Sequence, residues 1–175
     1  MKLSSFAYGT LQEISLRNRI IEYLTKNGIT NFRILPSYKT YSYKLEKNAD
    51  IDLLLITECG VYAIEIKSFV SKIIGKYSDK MWKGISFRNC TMIFNPVFQN
   101  KEHIRSLNTV LRRNGYEALP ISNIVCVQNG CKRISDCEEV VSESMLLSRV
   151  LMDLRFKEKV IDVKHCMEVL LQLSM

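Results

Sequence analysis

Two short apolar runs stand out along the chain, Ala49-Asp-Ile-Asp-Leu-Leu-Leu-Ile-Thr57 and Val61-Tyr-Ala-Ile-Glu-Ile-Lys67. Each is rich in Ile, Leu and Val and shorter than a typical helix, so each predicts a buried strand. Glu58-Cys59-Gly60 separates them, and the glycine supplies the turn signal of a β-hairpin. A two-residue loop (Glu58-Cys59) pairs Thr57 with Gly60, and a four-residue loop (57–60) pairs Ile56 with Val61. Both set the same register. Asp52 then lies opposite Glu65 and Asp50 opposite Lys67, with all four side chains on one face. A three-residue loop would break that constellation.

Helical spacing marks other stretches. Residues 10–26 read as a first helix, with Thr10 as N-cap and Asn27-Gly28 as the stop. At about 100° per residue, Leu16, Ile20 and Leu24 fall within about 60° of Glu13. Glu13 is therefore expected on the core-directed face and Glu22 on the opposite one. A second helix begins at Asn95-Pro96, Asn as N-cap and Pro at the first helical position. Val97, Ile104, Leu107 and Leu111 form its apolar stripe, and Asn114-Gly115 ends it. Gln99 lies outside that stripe, His103 follows one turn later, and Arg105, Arg112 and Arg113 add positive charge. Helices at 143–155 and onward from an Asp162 cap carry stripes that read as core, with a homodimer contact as the alternative.

Strands fill the intervals. Residues 31–35 predict a short strand stopped by Pro36. Residues 38–47 interleave tyrosine with lysine, which suits a sheet edge or a phosphate backbone. Further strands are expected at 72–77, 85–88 with 91–94 as a hairpin, 121–127 before an Asn129-Gly130 turn, 132–134 and 138–141. Trp82, between Lys80 and Lys83, reads as a buried ring closing the sheet, or as a nucleic-acid contact. The element order predicts an α/β fold, a mixed central β-sheet flanked by helices.

Composition narrows the class. The 175 residues, 47% hydrophobic and 25% charged, fit a single globular domain over 1–175. No apolar run reaches membrane-span length and Met1-Lys2-Leu3-Ser4-Ser5 starts no signal peptide, so a cytoplasmic protein is expected. The net charge of +7 favours an anionic partner, nucleic acid first, with Lys72, Lys80, Lys83, His103 and Arg105 as candidate contacts. The six cysteines form no C-x-x-C pair and read as reduced packing thiols.

The hairpin acids carry the candidate chemistry. Two carboxylates facing each other in an apolar hairpin repel, and a bound cation removes the penalty. Mg²⁺ takes one or two carboxylates together with water and phosphate oxygens. Lys67, one strand step from Glu65, could orient water or stabilise developing charge. That set suits metal-assisted phosphodiester hydrolysis. The plainer alternative is an amphipathic hairpin with an Asp50–Lys67 ion pair on a wet face. An acid-x-Lys tripeptide arises by chance about 1.5 times in such a composition. Asp162-Val-Lys164 is one that follows no apolar strand. Glu13 is a third carboxylate over the hairpin, or an acid favoured by the helix dipole. His103 is a general acid/base, or a surface histidine.

Asp50-Ile-Asp52 before a hydrophobic strand, Gly60-Val-Tyr-Ala-Ile-Glu-Ile-Lys67, Trp82, and Asn95-Pro-Val-Phe-Gln-Asn100 followed by His103-Ile104 give a more specific pattern. In order and spacing it resembles the nuclease-related domain (NERD) family, within the PD-(D/E)xK superfamily, over residues 9–128. The resemblance implies a restriction-endonuclease-like core and a nuclease that uses Mg²⁺ or Mn²⁺ on nucleic acid, DNA ahead of RNA. It implies catalytic residues Glu13, Asp52, Glu65, Lys67 and Gln99, with Asp52, Glu65 and Glu13 as candidate metal ligands. Two departures stand: Gln12 precedes Glu13 where the family usually has glycine, and Leu53 follows Asp52 where it usually has histidine. A non-catalytic nucleic-acid-binding module and a dimeric assembly or regulatory protein, joined through helices in 143–174, are the alternatives.

Overall fold

The computed structural model describes residues 5–43, 46–67, 71–86, 89–127 and 131–174, with side chains described from residue 11 onward. The elements are α1 (Ser5–Lys26), β1 (Phe32–Ser42), β2 (Lys47–Thr57), β3 (Gly60–Lys67), β4 (Lys72–Ile74), β5 (Met81–Ile85), β6 (Cys90–Phe94), α2 (Pro96–Arg113), β7 (Ile121–Val127), β8 (Lys132–Ile134), β9 (Val140–Ser142), α3 (Glu143–Phe156) and α4 (Val163–Leu173). The main sheet has the order β1-β2-β3-β7-β9. Its first three strands are antiparallel, and β3, β7 and β9 run parallel. A second sheet has the order β6-β5-β4-β8. This is the mixed α/β architecture expected from the element order, and it is consistent with the restriction-endonuclease-like core that the resemblance implies.

Strand alternation sorts the hydrophobic residues into two layers. Leu53, Leu55, Tyr62 and Ile64 meet Leu16, Ile20 and Leu24 of α1 and Leu146 and Val150 of α3. Leu54, Ile56, Val61 and Ala63 meet Leu107 and Leu111 of α2 and Val163, Cys166 and Leu170 of α4. The stripes of α3 and α4 are thus core. A smaller cluster around Ile73, Trp82, Val97 and Val125 joins the two sheets.

Several boundaries differ from the sequence expectation. Thr10 lies inside α1, which opens at Ser5. No proline breaks residues 5–10, and Gly9 costs only about 1 kcal/mol in a helix. Pro36 does not stop a strand: β1 runs through it, with Pro36 paired to Leu53. As an edge strand, β1 tolerates a residue without an N–H. The predicted strand 38–47 is divided, because Ser42 ends β1 and Lys47 opens β2, with Glu46 at φ 51 in the turn. β5 begins at Met81 and not at 85, which carries Trp82 into the interior. The indole needs Gly75 beside it: a Cβ at that position would lie 2.2 Å from the ring. Its Nε1 donates to the Lys76 carbonyl at 2.9 Å. β4 is correspondingly short. Residues 87 and 88 of the predicted hairpin and the Asn129-Gly130 turn lie outside the described residues.

Candidate active site

The β2–β3 ladder runs from Thr57↔Gly60 to Leu53↔Ile64, the register expected from a Glu58-Cys59 loop. It ends there. Beyond it, one residue along β2 and two along β3, the Ile66 N–H donates to the Asp52 carboxylate at 2.7 Å. A side chain has taken up a backbone amide where the two strands stop pairing, and this fixes Asp52 at the open end of the hairpin. The expected Asp50–Lys67 cross-strand pair does not form: Asp50 is exposed and its partner in the sheet is Lys39 of β1.

Asp52 also sits at a kink. The β1–β2 ladder is continuous from Phe32↔Thr57 to Ser42↔Lys47 except for one rung, Ser37 with Asp52. Ser37 has φ 48, in the left-handed region. Strict alternation would put Ile51 beside Leu53 on the α1 side. Instead Ile51 and its partner Tyr38 pack with Leu54 on the α2–α4 side. Both strands therefore switch faces at Ser37 and Asp52. The Ser37 hydroxyl donates to Glu13 Oε2 at 2.9 Å, tying α1 to the kink directly across from Asp52.

On the neighbouring strand, Glu65 is 4% exposed. Lys67 Nζ lies 2.5 Å from Glu65 Oε1 and 3.5 Å from Gln99 Oε1 of α2. The helix start is rigidly held: Asn95 caps it by accepting from the N–H groups of Val97 and Phe98 at 3.0 and 3.3 Å.

The electrostatics follow from burial. Asp52 is pushed up to about 7, first by loss of water and then by the Glu65 charge, with a further upward push from Glu13. The Ile66 N–H and Lys67 act in the opposite direction. Burial likewise lowers the His103 pKa, with Glu65 and Asp50 opposing that shift. His103 is half-buried and its Nδ1 is enclosed with no protein partner among the described residues, so it is not the surface histidine of the plainer expectation.

A family model for the nuclease-related domain matches residues 10–128. The chain belongs to the nuclease-related domain family. Comparison with curated proteins and with solved structures found no match. The matched segment runs from α1 through β7, and so contains every residue of the acidic cluster.

Within this nuclease-related domain direct contacts join Glu65, Lys67 and Gln99, while Asp52 is held beside them by the Ile66 amide and Glu13 by Ser37. Lys72 and Lys83 lie on the second sheet and Lys80 just before β5, and among the described residues no hydrogen bond or ion pair joins them to the acids. Arg105 pairs with Glu102 on the helix surface. Sequence reasoning missed Asn100. Fully buried, its Nδ2 donates to the Ala63 carbonyl at 2.8 Å and to Asn123 Oδ1 at 2.7 Å. It thereby locks α2 onto β3 and β7 two residues before Glu65. Its position beside Gln99 in the Asn95–Asn100 stretch was the available signal. Ser37 was missed too, and nothing in a serine after a proline announces a left-handed residue.

The donor set is one that a hard cation can use. Asp52 and Glu65 offer carboxylate oxygens whose mutual repulsion a cation would relieve, and Mg²⁺ needs only one or two carboxylates when water and phosphate complete its shell. Among the described residues no three His, Cys, Asp or Glu side chains converge as a ready-made cage. Carboxylate oxygens without cysteine or a ligand cage are a donor set compatible with a cation that keeps most of its water.

Proposed function

We propose that this nuclease-related domain is a metal-dependent nuclease that hydrolyses phosphodiester bonds, DNA being the first substrate to test. The observation that carries the reading is a half-buried carboxylate, Asp52, close enough to the buried Glu65 for the two charges to repel, with a lysine in contact with Glu65. The net charge of +7 supports an anionic substrate, and the restriction-endonuclease-like core favours DNA. No described helix is long and apolar enough to cross a membrane.

Asp52 and Glu65 would hold the cation, and Glu13 would hold it or one of its waters. When bound, the cation lowers the pKa of a ligated water and neutralises charge growing on phosphorus. The Ile66 N–H keeps Asp52 turned toward the site. Lys67, which holds Glu65 at 2.5 Å, would orient water and stabilise negative charge developing on the phosphate. Gln99 limits where that ammonium can go. His103, whose charged form burial disfavours, can accept a proton or hydrogen-bond a phosphate oxygen.

The test is cleavage of supercoiled plasmid and of single-stranded DNA by wild type and Glu65→Ala, with Mg²⁺, Mn²⁺ or EDTA. Metal-dependent cutting lost in the variant is the expected result. Equal cutting by both proteins would sink the proposal. The 2.5 Å Lys67–Glu65 contact favours one second reading, a binding module in which lysine already neutralises the acid. It predicts DNA binding without cutting, and equal affinity with Mg²⁺ or EDTA.

A further inference from the structure

A groove leads away from the candidate active site along the outer face of α2. Its first section, about 520 Å³, lies against Gln99 and His103 and is walled by Lys47 and Phe94. Its second, about 650 Å³, continues to Arg105, Arg112 and Tyr43. The sections adjoin, sharing Ser42, Glu102 and Ser106. From Gln99 to Arg112 the helix advances about 20 Å. The end of β1 (Ser42, with Tyr43 just after it) and the start of β2 (Lys47 to Ala49) form the opposite wall. There the Arg113 guanidinium stands 3.6 Å from the centroid of the Tyr43 ring. Tyr41 meets the same ring edge-on at 5.0 Å.

The groove's chemistry is uneven along its length. Among the described lining residues Lys47, Arg105 and Arg112 outnumber one acid, Glu102, which is itself paired with Arg105, and Arg113 adds its charge behind Tyr43. Cations recur along the track, and a 40% exposed tyrosine backed by arginine stands at its far end. Recurrent cations suit a phosphate backbone, and an aromatic face held by a guanidinium suits a stacked base. In a duplex the bases are stacked on one another, so only an unpaired strand could use the ring.

We propose that an unpaired nucleic-acid strand, continuing from the cleavage site, occupies this groove, with phosphates on Lys47 and Arg112 and a base on Tyr43. The starting point of the strand rests on the nuclease reading; the groove and its ligand can be tested without cutting. An acidic peptide is the competing occupant.

The experiment is fluorescence anisotropy in EDTA with a labelled 15-nucleotide single-stranded DNA, the same sequence as duplex, and an oligoglutamate peptide. Wild type should bind the single strand more tightly than the duplex. Tyr43→Ala should weaken single-strand binding by about 5-fold or more, the low end of one base stack. Tyr43→Phe, which keeps the ring, should bind as wild type does, which separates stacking from a folding defect. Arg112→Ala should reduce the slope of log affinity against log salt by about 0.7, the value for one phosphate of a single strand. Unchanged affinity in both Tyr43→Ala and Arg112→Ala overturns the proposal, as does tighter binding of the peptide. Plasmid cleavage by wild type beside unaltered binding by these variants would remove the groove and leave the nuclease. Groove-dependent binding by a protein that cuts nothing would keep the groove and remove the nuclease.

Discussion

The β2–β3 hairpin has two ends that obey different rules. At the turn end, from Leu53 to Thr57, every residue of β2 is buried, every one is paired to β3, and the side chains alternate between two apolar layers. At the open end the ladder stops, the β1–β2 ribbon switches faces, and polar groups take over from hydrophobic ones. Asp52 holds a backbone amide, and Lys67 holds Glu65. The turn end gains from burial. The open end gives up regular pairing and places like charges together, and it is where the candidate chemistry sits. Strain and unfavourable burial concentrate at functional sites because the rest of the fold over-determines them.

The widest separation of the two ends should come from one truncation at each. Glu65→Gln is expected to lower DNA cleavage by ~10³-fold or more, equivalent to several kcal/mol of transition-state stabilisation, with little loss of thermal stability. Leu55→Ala, at the turn end, should cost about 2–5 kcal/mol of folding stability. Below its melting temperature it should retain most of its cleavage rate. Paired melts and rate measurements on both variants check this. If Leu55→Ala lowered activity as strongly as Glu65→Gln without melting, the two ends would be one functional unit and the contrast would fail.

The same contrast explains what could be read from the sequence. The hairpin register was legible because apolar runs and a glycine turn over-determine it, and Thr57↔Gly60 stands as expected. α2 was legible because Asn95-Pro96 and Asn114-Gly115 are local signals that tertiary contacts had no cause to override. The identities of Asp52 and Glu65 were legible as acids in an apolar setting. Their arrangement was not, because simple alternation extrapolates a regular ladder past the point where Asp52 captures the Ile66 amide. The Ser37 kink was hidden for a related reason: no glycine marks the left-handed residue, and Pro36 suggested a strand end where the edge strand in fact continues. The burial of His103 depends on elements far away in sequence, so helical spacing alone could not supply it.

A pH series sharpens the contrast on the stability side. In metal-free protein Asp52 is pushed up to about 7, by burial first and Glu65 second. In the unfolded chain an aspartate titrates near about 4. Below that pH both states keep the proton and Asp52 imposes no penalty. As pH rises from about 4 to 7 the unfolded chain releases its proton first, so stability should fall across that window and level off above it. Asp52→Asn should remove this component. Melts in EDTA from pH 4.5 to 8 would show the wild-type advantage over Asp52→Asn shrinking as pH rises. A constant difference would mean that Asp52 ionises freely and the open end carries no electrostatic load. At pH 8, Mg²⁺ should raise the wild-type melting temperature and leave Asp52→Asn nearly unmoved, because a ligand stabilises only the state that binds it.

The smallest expected effects are at Ser37, and they separate geometry from chemistry. Ser37→Ala removes the hydroxyl that holds Glu13 and keeps a side chain in the left-handed conformation. Ser37→Gly removes the hydroxyl too, but suits φ 48 without strain. The bond to Glu13 is exposed, so its loss should cost no more than about 1 kcal/mol in either variant. The glycine should recover part of that through relief of backbone strain, which makes Ser37→Gly the more stable of the two. Cleavage should not follow stability. Both variants release Glu13 from its place across from Asp52, so both should lose activity by a similar few-fold, and both should need more Mg²⁺ to reach half-maximal rate. Rates that tracked the melting temperatures would make Ser37 only a turn residue. Equal losses of rate in two variants of unequal stability would make the kink the device by which α1 delivers its carboxylate to the site.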